Sequence, residues 1–256
     1  MKYAIIGVEG PHDQAFTGKV LKLLGFKDFR EELKGLESQL DPFWRKFIPV
    51  YPKKGGILYN RLDMPSILFN DTISVAIYAG EGSNLVTNLD DILFANSEYQ
   101  TNLAAFGIVA DCDKSTPDRI VEPYANKFRS YFPNFPQCPG VVDTNSPRTG
   151  IYVLPDNQRS GVLDTLVCEC GKIAYPAYME RARSYLDKFT EEDKKILKLK
   201  NFDLDKALVA TVASVLTPGL TNTVSIARND WVSKQTQEVP ALAKFIEFLR
   251  ELLELS

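Results

Sequence analysis

Histidine is nearly missing from this sequence of 256 residues: His12 is the only one. Cysteine is sparse, with Cys112, Cys138, Cys168 and Cys170 making four. Their spacing matches no secreted disulfide framework. Cys168-Glu169-Cys170 offers two thiols, but a structural zinc site takes four ligands and His12 is far away in sequence. The pair therefore reads as free thiols on or near a buried helix. Neither sign of charge dominates, and the formal net charge is −3. A protein that coats nucleic acid is usually basic, because phosphate neutralisation supplies most of its affinity; any such contact here must be local or metal-mediated. No apolar run approaches the roughly 18 residues of a membrane span. The opening Met1-Lys2-Tyr3-Ala4-Ile5-Ile6-Gly7 is too short an apolar run for a signal peptide. The expectation is a cytoplasmic protein that does not enter a membrane. Internal repeats, low-complexity segments and a Gly-x-x-x-x-Gly-Lys-Ser/Thr phosphate loop are also absent from the sequence.

What is present is ordinary globular material, 45% hydrophobic and 25% charged, long enough to bury a core without disulfides. We read residues 1–256 as a single α/β domain, with an insertion at 26–71 and a mainly helical elaboration at 186–256. Short apolar runs suit strands buried on both faces: Ala4 to Val8, Ile73 to Tyr78, Ala104 to Ala110 and Ile151 to Leu154. Between them lie helical patterns from Asp13 to Leu24, from Ser83 to about Asn96, from Thr116-Pro117 to about Phe132, and from Gly161 onward. The tail carries helical patterns at Thr190 to Leu199, opened by a Thr-x-x-Asp cap, at Leu204 to Leu216, and at Pro240 to Leu255. The insertion is punctuated by Gly and Pro; Pro52 to Gly56 reads as a loop and Pro42 to Phe47 as a short helix. Alternating strands and helices predict a parallel sheet flanked by helices.

Four predicted strands end in acids: Glu9, Glu81, Asp111 with Asp113, and Asp156. Ligands of open α/β sheets bind at the carboxyl ends of the strands, so distant strands would deliver carboxylates to one place. Like charges held together are unfavourable unless a cation neutralises them. A hard divalent ion such as Mg²⁺ or Mn²⁺ does so through oxygen ligands.

The same residues carry a family resemblance. Glu9-Gly10-Pro11-His12-Asp13 after the first strand resembles the first motif of Toprim domains, and Asp111-Cys112-Asp113 resembles their Asp-x-Asp motif. Ser160-Gly161-Val162-Leu163-Asp164 resembles the third motif in overcoming-lysogenization-defect nucleases. That motif normally ends in Glu, and Asp164 is one carbon shorter. Lys206 resembles a downstream lysine of the group. With Trp44-Arg45-Lys46, Tyr78 to Ser83 and Pro155-Asp156-Asn157, the chain looks like an uncharacterised stand-alone Toprim-type family, a Rossmannoid fold. The resemblance implies metal ligation by Asp111 and Asp113. It gives Glu9 a metal or proton-transfer role, Asp13 and Asp164 a second metal position, and Lys206 the stabilisation of developing negative charge. Glu81 and Asp156 rank second, and His12 reads as a turn residue.

The function expected is Mg²⁺- or Mn²⁺-dependent phosphoryl transfer, nuclease-like, on nucleic acid or a nucleotide phosphate. Two rivals stand beside it. One is a non-catalytic metal- or nucleotide-binding module, a homo-oligomer or a subunit for a protein partner. The other is a phosphatase of the haloacid-dehalogenase type, because Asp111-Cys112-Asp113-Lys114-Ser115 resembles its Asp-x-Asp-x-Ser/Thr motif.

Overall fold

A computed structural model describes residues 1–29, 41–46 and 65–255. These residues form a seven-stranded sheet in the order β2-β3-β4-β1-β5-β7-β6. The strands are β1 (Lys2–Val8), β2 (Lys27–Asp28), β3 (Ser66–Phe69), β4 (Ile73–Ala79), β5 (Ala105–Asp111), β6 (Val142–Asp143) and β7 (Arg148–Leu154). The central four, β4, β1, β5 and β7, run parallel. The outer strands β2, β3 and β6 are antiparallel to their neighbours. This is the expected Rossmann-like α/β architecture, with antiparallel edges added.

Side chains alternate across the strands, and the alternation sorts the core into two layers. Ala4, Ile6 and Val8 of β1 join the layer on one face, with Val75 and Ile77 of β4 and Tyr152 of β7. Ile5, Ala76, Phe106, Ile108 and Ile151 join the layer on the other. Both faces are covered, which is why these strands read as continuous apolar runs.

The first layer is closed by α1 (Pro11–Leu23), α5 (Leu163–Ala174), α8 (Asp203–Leu216) and α10 (Pro240–Leu253). The second is closed by α2 (Leu85–Ala95), α3 (Ser97–Asn102) and α4 (Pro117–Phe128). Helices α6 (Pro176–Leu186), α7 (Glu191–Ile196) and α9 (Asn222–Arg228) complete the described helical part. No described helix is long and apolar enough to cross a membrane.

Where helices meet the sheet closely, glycine supplies the room. A Cβ on Gly107 of β5 would come within 2.4 Å of Leu252, and one on Gly150 of β7 within 2.8 Å of Phe248. Both partners belong to α10, which therefore lies tight on β5 and β7.

Several sequence boundaries move, each for a local reason. Ser83 does not cap α2. Gly80 packs on Leu85, where an added Cβ would stand 2.7 Å from the Leu85 Cα. The chain therefore turns through Glu81 at φ 60° and a 3₁₀ turn at Gly82–Asn84 before the helix begins. Helix α5 starts at Leu163 rather than Gly161, because Gly161 pairs backbone to backbone with Asp113. Helix α4 stops at Phe128, short of Phe132. The Thr190 cap forms as expected: Thr190 Oγ1 accepts from Asp193 N at 3.1 Å.

The segment read as an insertion supplies β2 and β3 at its two ends, and a 3₁₀ helix at Pro42–Lys46. The loop read at Pro52 to Gly56 lies outside the described residues. Trp44 is a core residue, fully buried, with its indole N–H donating to Ser74 Oγ at 2.9 Å.

Candidate functional site

Parallel strands β1 and β5 are neighbours, so the segments that follow them emerge side by side at the carboxyl edge of the sheet. Glu9 follows β1 and Asp111 ends β5. The backbone N–H of Asp111 donates to Glu9 Oε1 at 3.0 Å. Asp111 Oδ1 in turn accepts from the backbone N–H of Leu163 at 2.8 Å, the first residue of α5. Asp13 stands in the first turn of α1, where its Oδ2 accepts from Gly10 N at 2.8 Å. A carboxylate there satisfies an unpaired helix N–H and suits the helix dipole. Asp13 thus acts as a helix-terminus acceptor and also stands among the other acids.

Asp113 is placed differently. It is exposed and holds a left-handed φ of 50°. Its N–H donates to Gly161 O at 2.8 Å, and Gly161 N returns a bond to Asp113 O at 3.1 Å. The loop after β5 is thereby tied to the Ser160-Gly161 turn. Asp164, buried in the first turn of α5, arrives through the same turn.

The electrostatics bind these residues into one unit. Burial raises the Asp111 carboxyl well above the usual range; the charges of Asp13 and Glu9 raise it further, against the Leu163 N–H. Burial, then the charge of Glu9, pushes Asp13 up to about 7. Glu9 is raised by burial and by Asp113, while the Asp111 N–H and Lys206 pull it down. Asp164 is also raised by burial, and its main opposing influences are His12 and Lys206. None of Glu9, Asp13, Asp111 and Asp164 makes an ion pair with another described residue. Protonation is the protein's own means of relieving the crowding.

The second-rank acids do not join. Asp156 accepts from the backbone N–H groups of Gln158 and Arg159 and pairs with the Arg159 guanidinium at 3.0 Å. It holds its own loop. Glu81 is exposed in its left-handed turn.

Sequence reasoning missed three contributors. Tyr124 of α4, read only as a core residue, is raised by burial and then by the charges of Glu9, Asp111 and Asp13. Asp205 accepts from Thr165 Oγ1 at 2.9 Å. His12, set aside as a turn residue, is the first of the groups that oppose the rise of Asp164. Each lies within one to eleven residues of a recognised acid or lysine, but only the packing of α1, α4, α5 and α8 brings them inward.

Among the described residues, no three His, Cys, Asp or Glu side chains stand close enough to form a ready-made metal cage. The donor chemistry nevertheless fits a hard divalent cation. Mg²⁺ commonly takes one or two carboxylates and keeps several waters. Glu9 and Asp111 each have one oxygen fixed by a backbone N–H, and the second oxygen of each accepts no hydrogen bond from a described residue.

Fold and site together define an α/β protein with a mostly parallel sheet and clustered carboxylates at its carboxyl edge. The chain belongs to the family described as "Protein of unknown function (DUF3226)", which matches residues 3–254. Among solved structures it is similar to the crystal structure of hypothetical protein PH0156 from Pyrococcus horikoshii OT3. The identity is 18% and the TM-score 0.53, over 100% of this chain and 96% of that one. That likeness supports the fold. No curated protein matches the sequence.

Proposed function

We propose that this protein is a Toprim-type phosphoryl-transfer enzyme, dependent on Mg²⁺ or Mn²⁺ and cleaving phosphodiester bonds in nucleic acid or nucleotides. The observation that supports this most is the convergence of Glu9, Asp13 and Asp111 from β1, α1 and β5 into one part-buried, mutually repelling group with no ion-pair partner among the described residues.

In this reading Asp111 and Asp113 hold the metal, and Asp13 and Asp164 offer a second position. A bound divalent cation supplies neutralisation of charge on the attacking and leaving oxygens. Glu9, raised by burial from its ordinary value, is suited to hold or release a proton at Oε2, which accepts no hydrogen bond from a described residue. Lys206 places a positive charge near Glu9 and Asp164, where it stabilises negative charge developing on a phosphoryl group. Since the net charge is −3, the substrate's phosphate is met locally rather than by a basic surface.

The test is cleavage of supercoiled plasmid and of single-stranded DNA with Mg²⁺ or Mn²⁺, using wild type beside Asp111→Ala and Glu9→Gln. Metal-dependent cleavage by wild type alone supports the reading. Tight metal binding with no cleavage replaces it with a binding module. Trapping of a phosphorylated Asp111 replaces it with a haloacid-dehalogenase-type phosphatase.

A further inference from the structure

Lys206 is the exposed second residue of a pair, and Asp205 beside it is bonded to α5. Thr165 is likewise the neighbour of a site residue, Asp164. Its hydroxyl does two things. It accepts from the backbone N–H of Val162 at 3.4 Å, closing the first turn of α5, and it donates to Asp205 Oδ2 at 2.9 Å. One turn further along α5, Cys168 Sγ lies 3.7 Å from the Asp205 backbone oxygen. Asp205 is therefore held through both its side chain and its main chain. Helices α5 and α8 are fixed against each other at the level where one carries Asp164 and the other Lys206.

We propose that Thr165 and Asp205 are positioning residues, a clamp that fixes the stretch of α8 from which Lys206 extends toward the acidic group. This rests on the phosphoryl-transfer reading for the role of Lys206, but the clamp itself is a statement about geometry. A lysine on a flexible four-carbon stem directs its charge only as well as its backbone is placed. Small displacements of a charge-stabilising group cost rate while leaving ground-state metal binding alone. Thr165 suits the task because a hydroxyl both accepts and donates. Valine keeps the β-branched shape and loses both bonds, whereas serine keeps both.

The experiment compares wild type with Thr165→Val, Thr165→Ser, Lys206→Ala and the Thr165→Val/Lys206→Ala double variant in Mg²⁺-dependent DNA cleavage. Mn²⁺ affinity is measured in parallel. The clamp predicts that Thr165→Val lowers kcat about tenfold, leaves Mn²⁺ affinity unchanged, and is reversed by Thr165→Ser. It predicts no further loss when Thr165→Val is added to Lys206→Ala, because Thr165 acts through that lysine. Undiminished turnover in Thr165→Val overturns the proposal, as does a loss that multiplies with that of Lys206→Ala.

A second readout needs no turnover: acylation of Lys206 by an N-hydroxysuccinimide ester, followed by peptide mass spectrometry. Faster labelling in Thr165→Val, returning to the wild-type rate in Thr165→Ser, supports the clamp; equal rates in all three proteins overturn it. Wild type that cleaves nothing while the labelling shift is present sinks the proposed function and leaves the clamp standing.

Discussion

The backbone N–H of Asp111 and the carboxylate of Glu9 are joined at 3.0 Å across 102 residues of chain. This bond ties the exits of two adjacent parallel strands, and it gives Glu9 a structural duty separable from its chemical one. Glu9→Gln keeps an oxygen acceptor for the Asp111 N–H; Glu9→Ala leaves that donor without its partner. Glu9→Gln is expected to unfold in urea near the wild-type midpoint while losing DNA cleavage. Glu9→Ala is expected to lose about 1–3 kcal/mol of stability as well. Equal midpoints for the two variants would show that the bond contributes nothing to the fold.

Asp13 makes stability depend on pH. Its folded value of about 7 lies above the roughly 3.9 of an unfolded Asp. The native state therefore binds the extra proton between those limits. Its contribution is fully present below about pH 4 and is lost as pH rises through about 7. Asp111, Glu9 and Asp164 are raised too and act with the same sign. Asp13→Asn removes the carboxylate and keeps an oxygen for Gly10 N. Without divalent metal, its stability relative to wild type should be greater at pH 8 than at pH 5 in urea denaturation. A difference that does not change with pH would contradict the burial of this group.

Added metal should act where the protons have left. At pH 8, millimolar Mg²⁺ or Mn²⁺ is expected to raise the melting temperature of wild type by several degrees. A ligand at a hundred times its dissociation constant contributes about 2.7 kcal/mol. Asp111→Asn should lose most of the gain, and EDTA should abolish it in wild type. A shift of equal size in Asp111→Asn would place the metal elsewhere.

Gly161 is tightly constrained beside the acidic group. A Cβ there would come 2.8 Å from the Pro155 ring, and the backbone already holds Asp113 through paired bonds. Gly161→Ala is expected to cost roughly 1–3 kcal/mol, as overpacking usually does, and to weaken metal binding through displacement of Asp113. Calorimetry and a Mn²⁺ titration check both. Gly82→Ala serves as the control: Gly82 is also at positive φ, but nothing lies within 4 Å of its added Cβ.

The central strands were legible because burial on both faces writes an unbroken apolar run, as Ala4 to Val8 shows. Their carboxyl-end acids were legible for the same reason, since an Asp or Glu directly after such a run is conspicuous. The edge strands were not. Val142–Asp143 is two residues long and sits in a proline-rich stretch, and Ser66–Phe69 stands at the end of a segment without periodicity. Helices α6 and α9 also went unread; α6 buries only Met179 and Ala182 and so carries no apolar stripe. Of the clustered acids, Glu9 and Asp111 were singled out by their place after an apolar run, and Asp13 and Asp164 only through the motif resemblance. Thr165 and Asp205 meet only when α5 packs on α8, a pairing that neither local pattern contains.

Helix α10 has a further consequence. Its Leu252 and Phe248 fill the hollows over Gly107 and Gly150, yet it is made roughly a hundred residues after the strands it covers. During synthesis the same face of β5 and β7 stays bare until residues 240–253 leave the ribosome. The emerging chain thus carries this apolar face uncovered while roughly a hundred further residues are added, and the last turns of this helix act as the stopper that ends its exposure to other nascent chains.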